Sequence, residues 1–201
     1  MTKVLLIFYD TKIILYKLFF SSYPVLKFYG PQPIPESYTG WVHRYENVQL
    51  TNKSFYWKGL RYGPYEVISS DKYKGIHSDN IGDYRKKVSL FKKNKEHGIS
   101  RSYDEEGSLR VITRYKEGLR HGISRSYDEE GSLKNISRHK EGLLEGKYFL
   151  FNKKGKKTYE GIYKRGKLDG YVKNYSQGRL WILSRYSNGL PHGESREYHP
   201  N

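Results

Sequence analysis

An all-β, elongated single-layer meander of about seven tandem β-hairpins is the fold that this sequence predicts, and three observations predict it. Glycine recurs at a fixed period, two chemically distinct turn signals alternate within each period, and the residues between them alternate in polarity. The glycine column reads Gly98, Gly122, Gly146, Gly170 and Gly193, at steps of 24, 24, 24 and 23 residues. Residues 97–109 and 121–133 are the same thirteen letters, HGISRSYDEEGSL. A fixed period of this length is the mark of a repeat architecture and overrides segment-by-segment assignment.

Each unit carries further marks in step. An aromatic follows the first glycine by five residues (Tyr103, Tyr127, Phe151, Tyr175, Tyr198), and a second glycine follows at Gly107, Gly131, Gly155 and Gly178. A ring precedes the first glycine by seven, at Phe91, Tyr115, His139, Tyr163 and Tyr186. Upstream, Gly40 and Gly63 lie 23 apart, while Gly63 to Gly98 is 35, which reads as a degenerate unit with an insertion of about a dozen residues within 69–87. The array therefore spans residues 38–201, behind an N-terminal segment of residues 1–37.

The first turn signal is Asn188-Gly189, echoed by Glu117-Gly118, Glu141-Gly142, Arg165-Gly166 and Lys58-Gly59. Both central residues of such a two-residue hairpin need φ > 0, which Asn-Gly supplies best. Asn94 stands where one glycine is missing, and Asn tolerates the left-handed region. The second signal, Asp104 to Gly107 and Asp128 to Gly131, suits a longer loop closed by a left-handed glycine. Between turns, Leu109 to Tyr115 alternates with the period of two that a strand requires. The sequence leaves the cross-strand register open.

Tyr115-Lys-Glu-Gly118-Leu-Arg-His-Gly122 with Tyr127 and Gly131, and Tyr163-Lys-Arg-Gly166 with Gly170 and Tyr175, resemble the MORN repeat in its looser variant, found in bacterial and viral proteins. The resemblance covers roughly four fifths of the chain. It implies a twisted single-layer sheet built from successive hairpins. It also implies a role in scaffolding or membrane-proximal assembly, and some bacterial members of the variant class are described as antitoxins that neutralise a partner.

Composition fits a thin sheet. Aromatics are 16% of residues, with 21 Tyr, against 36% hydrophobic overall, so amphipathic rings must supply much of the packing surface. No cysteine is present, which removes disulfides, thiolate metal sites and cysteine nucleophiles together. The net charge of +16 attracts polyanions through a long-range field. Residues 91–201 carry 24 Lys or Arg against 14 Asp or Glu, so a net +10 is spread through the regular array.

Ahead of the array, the apolar runs Val4 to Tyr9 and Ile13 to Phe20 are too short to cross a bilayer, and no small-x-small cleavage site follows them. They read as a strand or helix capping the sheet, or as a membrane-surface element. Pro31, Pro33 and Pro35 favour an extended linker. An intracellular location, cytoplasmic or peripheral to a membrane, is the expectation.

No catalytic signature, metal site or cofactor motif is expected. His97, His121 and His192 precede the repeat glycine on separate hairpins, which separates them by about a repeat rather than converging them on an ion. The acidic turns lack the ligand spacing of a calcium loop. The candidate site is a ladder instead. Arg101, Arg125, Lys173 and Arg196 occupy the third position after the repeat glycine, two residues before Tyr103, Tyr127, Tyr175 and Tyr198 and on their face of the strand, with Phe149 interrupting the cationic series. Alternating cations and rings can solvate one face of an open sheet by stacking on each other, or can bind anions. A protein partner is the first expectation, an anionic lipid surface the second and nucleic acid the third.

Overall fold

The computed structural model describes residues 23–29, 32–46, 49–73 and 84–199. The two N-terminal apolar runs, Pro31 and the middle of the 69–87 insertion lie outside the described residues. Eighteen strands form one sheet, with no helix among the described residues. The first five are β1 (Val25–Tyr29), β2 (Gly40–Glu46), β3 (Gln49–Trp57), β4 (Leu60–Tyr73) and β5 (Tyr84–Lys92). The regular units follow as β6 (Lys95–Glu96), β7 (Gly98–Tyr103), β8 (Leu109–Lys116), β9 (Leu119–Arg120), β10 (Gly122–Tyr127) and β11 (Leu133–Lys140). The last strands are β12 (Leu143–Leu144), β13 (Gly146–Phe151), β14 (Lys157–Lys164), β15 (Lys167–Leu168), β16 (Gly170–Ser176), β17 (Arg179–Ser187) and β18 (Leu190–Glu197).

From β2 onward every pairing is antiparallel and joins successive long strands, or a long strand and the two-residue strand after its turn, so the sheet is a meander. β1 pairs parallel to β2, which makes the sheet mixed. β4 and β5 stay paired out to Tyr73 and Tyr84, so part of the insertion lengthens that hairpin.

Among the described residues every tight turn has both central residues at positive φ, as in Glu117 (52°) and Gly118 (85°), or Lys93 (48°) and Asn94 (66°). Asn94 earns its place twice, since its N–H donates to Arg61 O at 3.0 Å and its Oδ1 accepts from Arg61 N at 2.6 Å. These turns stack. Gly118 N donates to Glu96 O, Gly142 N to Arg120 O, Gly166 N to Leu144 O and Gly189 N to Leu168 O, each at 2.8–2.9 Å. Each unit is thereby fastened to its predecessor, as expected of a one-dimensional array. Among the described residues the first turn of this stack, Lys58-Gly59, rests on residues 38–39: Gly59 N donates to Tyr38 O at 2.8 Å and Lys58 N to Thr39 Oγ1 at 3.0 Å.

The longer loops are closed by an Asx head. Asp128 Oδ1 accepts from Glu130 N and Ser132 N at 3.1 and 2.8 Å, Asn152 Oδ1 from Lys154 N and Lys156 N at 3.0 Å, and Asp104 Oδ1 from Ser108 N at 2.7 Å. The carboxylates serve the loop's own amides. Asp128→Ala is expected to cost about 1 kcal/mol by analogy with a lost helix cap, read by urea unfolding, with Asp128→Asn retaining most of that stability.

Gly178 differs from the other second glycines. With Gln177 (φ 51°) it forms a two-residue turn, leaving four residues between Tyr175 and its partner Leu180, whereas five separate Tyr127 from Leu133. The shorter connection accounts for the 23-residue step. Tyr45 pairs with Leu50 in the same way, and that unit is also 23 long.

A bulge falls at one place in each unit, between Ser102/Tyr103, Ser126/Tyr127, Leu150/Phe151 and Asn174/Tyr175. Each leaves one residue of the partner strand unpaired, Arg110 in the first case, and raises the local twist.

Single-layer sheets have little to bury, and this one buries small hydroxyl residues. On one face, Ser54, Ser89, Ser100, Thr113, Ser124 and Ser137 form a row, each 5% exposed or less. Ser89 and Ser100 hydroxyls lie 2.9 Å apart, and Thr113 and Ser124 hydroxyls 2.8 Å apart, so buried polar groups satisfy each other across neighbouring hairpins. Beside that row the repeat glycines face rings: Gly98 pairs with Tyr115, Gly122 with His139, Gly146 with Tyr163 and Gly170 with Tyr186. A ring opposite a glycine covers backbone that lacks a side chain of its own. This is the ring face.

Candidate binding surface

The opposite face carries the charge. Direct cross-strand pairs link Lys27, His43, Lys53, Glu66 and Val88 to Arg101, and then Ile112, Arg125, Ile136, Phe149, Glu160, Lys173, Leu183 and Arg196, one residue from each strand longer than two residues. Arg101, Arg125, Lys173 and Arg196 therefore share one continuous row. Tyr103, Tyr127 and Tyr175 stand two residues along the strands on the same face, half-buried, and Tyr198 follows β18 with its N–H donating to Trp181 O at 2.7 Å.

A second row runs beside the first. Arg114 pairs with Ile99, Arg138 with Ile123, Lys147 with Ile162 and Arg185 with Tyr171. Between β7 and β11 the two rows make a checkerboard, Arg101 and Arg125 alternating with Ile112 and Ile136 in one, Ile99 and Ile123 with Arg114 and Arg138 in the other. The stems of Arg114 and Arg138 lie against Gly122 and Gly146, since a Cβ built there would sit 3.3 and 3.8 Å from the respective arginine Cδ. Glycine thus lets the arginines lie across the strand and project their guanidinium groups. Arg114 and Arg138 were not evident as site residues, although the position just before the repeat ring (Leu90, Arg114, Arg138, Ile162, Arg185) recurs at the period and could have revealed them.

Among the described residues, the Lys and Arg side chains of strands β7, β8, β10, β11, β13, β14 and β16 all fall on this face. Charge neutralisation along it is uneven. Glu160 is held by Lys157 Nζ at 2.7 Å, lies 3.7 Å from Lys147 Nζ and accepts from the Tyr175 hydroxyl at 3.4 Å. Lys157 also sits 5.0 and 5.4 Å from the Tyr175 and Phe149 ring centroids. In this half the anion is already supplied. Between β7 and β11, by contrast, no carboxylate among the described residues pairs with Arg114, Arg125 or Arg138, which are exposed. Arg125 lies over no described ring, so its charge is not committed to a tyrosine.

Local fields follow the same map. Burial pushes His43 below its ordinary value, and Lys53 and Lys27 on either side add to the shift. Glu160 lies below the usual carboxylate range because of the Lys157 hydrogen bond, which outweighs its burial. A carboxylate depressed on folding stabilises the fold above its ordinary value of 4.5 and loses that contribution as pH falls through the folded value. Stability is accordingly expected to fall below pH 4.5, and Glu160→Gln to flatten that acid limb, as measured by urea unfolding across the range.

Among the described residues no group of three or more His, Cys, Asp or Glu is placed to hold a metal ion. His97 instead has Nδ1 3.3 Å from Glu117 Oε1 of the next turn. No described helix is long and apolar enough to cross a membrane.

Stacked hairpins, a glycine–ring column and one cationic face define an open β-sheet repeat array. Two adjacent units of it, residues 96–117 and 120–141, match the family model described as MORN repeat variant. No curated protein matches the chain.

Proposed function

We propose that the chain is a non-catalytic repeat scaffold whose basic face holds an acidic protein partner along the array. One observation carries the reading: the Lys and Arg of the long strands from β7 to β16 share a single face, and between β7 and β11 they alternate with isoleucine. Isoleucines between the cations give such a face apolar contact area as well as charge, which suits a polypeptide better than a bare polyanion. Repeat arrays present extended surfaces of this kind.

The test uses poly-glutamate as probe and two variants with the same change in charge. Arg101→Gln/Arg125→Gln/Arg138→Gln is expected to weaken binding about tenfold, from the summed loss of exposed ion pairs. Lys58→Gln/Lys93→Gln/Arg165→Gln alters tight turns at a position where Gln177 already sits at φ 51°, and is expected to leave binding within about twofold. Equal losses would show a general field and end the reading.

A second reading has its own observation. Leu60, Leu119, Leu143 and Leu190, 41–71% exposed, line the tight-turn edge beside Lys58, Lys116 and Lys140. That edge fits an anionic lipid surface. Sedimentation with vesicles of phosphatidylcholine and phosphatidylserine in equal parts, abolished by Leu119→Ser/Leu143→Ser and insensitive to the face variant, would favour it over a protein partner.

A further inference from the structure

The basic face has a period, and the period selects a partner conformation. Arg101 and Arg125 share a row with one strand between them, as do Arg114 and Arg138 in the adjacent row. Neighbouring strands lie about 4.8 Å apart, so like positions two strands on repeat at about 9.6 Å. A polypeptide lying along a row, across the strands, must present its carboxylates at that interval.

Regular backbones differ in how well they can do so. An extended strand returns a side chain to one side every two residues, about 6.7 Å, far from the required step. An α-helix returns to one face after seven residues, about 10.5 Å, and drifts about 0.9 Å with each step. Polyproline II has three residues per turn and 3.1 Å of rise, so every third side chain lies on one edge at about 9.3 Å, within about 0.3 Å of the row period.

We propose that the segment recognised by this face is an acidic polyproline-II stretch, with Glu or Asp at every third residue, lying across β7 to β11. This rests on the acidic-partner reading above and specifies the partner's backbone. Its carboxylates meet Arg101 and Arg125 in the first row, and Arg114 and Arg138 approach from the second. Ile112 and Ile136 fill the intervals between the row's arginines. Tyr103 and Tyr127, half-buried on the same face, offer ring surface to prolines, as aromatic-lined grooves do for such helices. Polyproline II is largely preformed, so little ordering entropy opposes its docking on an open face.

The match ends where the pattern changes. Phe149 takes the next place in the first row, and beyond it Glu160 already neutralises Lys157. The matched stretch spans three strand spacings, about 14 Å, so a segment of about five residues covers it.

Three labelled peptides of about fifteen residues test this by fluorescence anisotropy against the whole chain. The first repeats Glu-Pro-Pro, the second has the same composition with its glutamates clustered, and the third repeats Glu-Gly-Ser with the same number of glutamates. The first is expected to bind about tenfold tighter than either other, through preorganisation and spacing together. Arg101→Gln/Arg125→Gln, both substitutions on the open face of the sheet, should remove that preference while circular dichroism and melting temperature stay those of the parent. Equal binding of all three peptides overturns the polyproline-II assignment and leaves the acidic-partner reading standing. Binding of none of them, nor of poly-glutamate, overturns both. Preference for the first peptide that survives the double substitution places the site elsewhere and also overturns the proposal.

Discussion

Gly59→Ala is expected to destabilise the chain by about 3 kcal/mol, the sum of a left-handed backbone strain of about 1–2 kcal/mol and an overpacking cost of similar size. Gly59 sits at φ +71°, and a Cβ there would lie 2.5 Å from Glu36 O and 2.7 Å from Glu36 Cα. Backbone cannot swing aside as a side-chain tip can. Residues 35–39 also form the base on which the first tight turn stacks, through Gly59 N to Tyr38 O and Lys58 N to Thr39 Oγ1. Gly107 is the control: its φ is +84° and nothing lies within 4 Å of an added Cβ, so Gly107→Ala is expected to cost only the strain, about 1–2 kcal/mol. Urea unfolding of the two variants separates the contributions, and equal losses would mean that Glu36 does not pack on the turn.

Phe55→Ala is the second large effect, about 3–5 kcal/mol for removing a buried aromatic. Phe55 is 2% exposed, pairs across the strands with Trp41 and meets its ring edge-on at 5.6 Å, with Tyr23 edge-on at 5.1 Å. In an array held by nearest-neighbour contacts the loss should be local. Amide exchange is expected to rise through β2 to β4 and to stay unchanged in β10 to β16. A uniform rise would show that the sheet opens as one cooperative unit.

Much of this fold is legible in the sequence because its determinants are local. Glu117-Gly118 and Asn188-Gly189 specify a turn whatever surrounds them, and Asn94 is readable as a glycine substitute by its conformational tolerance alone. The common face of Arg101 and Tyr103 is likewise a matter of strand alternation. Register is not local. It depends on bulges such as that at Ser102/Tyr103, which leaves Arg110 unpaired, and no residue type announces one. The serine row was hidden for another reason: Ser100 and Ser124 look like solvent-facing residues, yet small size beside large rings buries them. Gly178 shows how much one residue of phase matters, since it falls eight residues after Gly170 where Gly107 and Gly131 fall nine after Gly98 and Gly122, and with Gln177 it forms a different turn. Arg114 and Arg138 gain meaning only when the glycines beneath their stems are seen.

The lattice of cations on one face was therefore half visible, as a row, before its partner row and its uneven neutralisation were known. Side-chain Nε–Hε resonances of arginine provide its most direct test, recorded while poly-glutamate is titrated into the isotope-labelled chain. Arg101, Arg114, Arg125 and Arg138 are expected to shift together and saturably, with Arg165 at the tight turn and Arg61 on the ring face unmoved. Shifts led by Arg165, or spread evenly over every arginine, would contradict a binding face between β7 and β11.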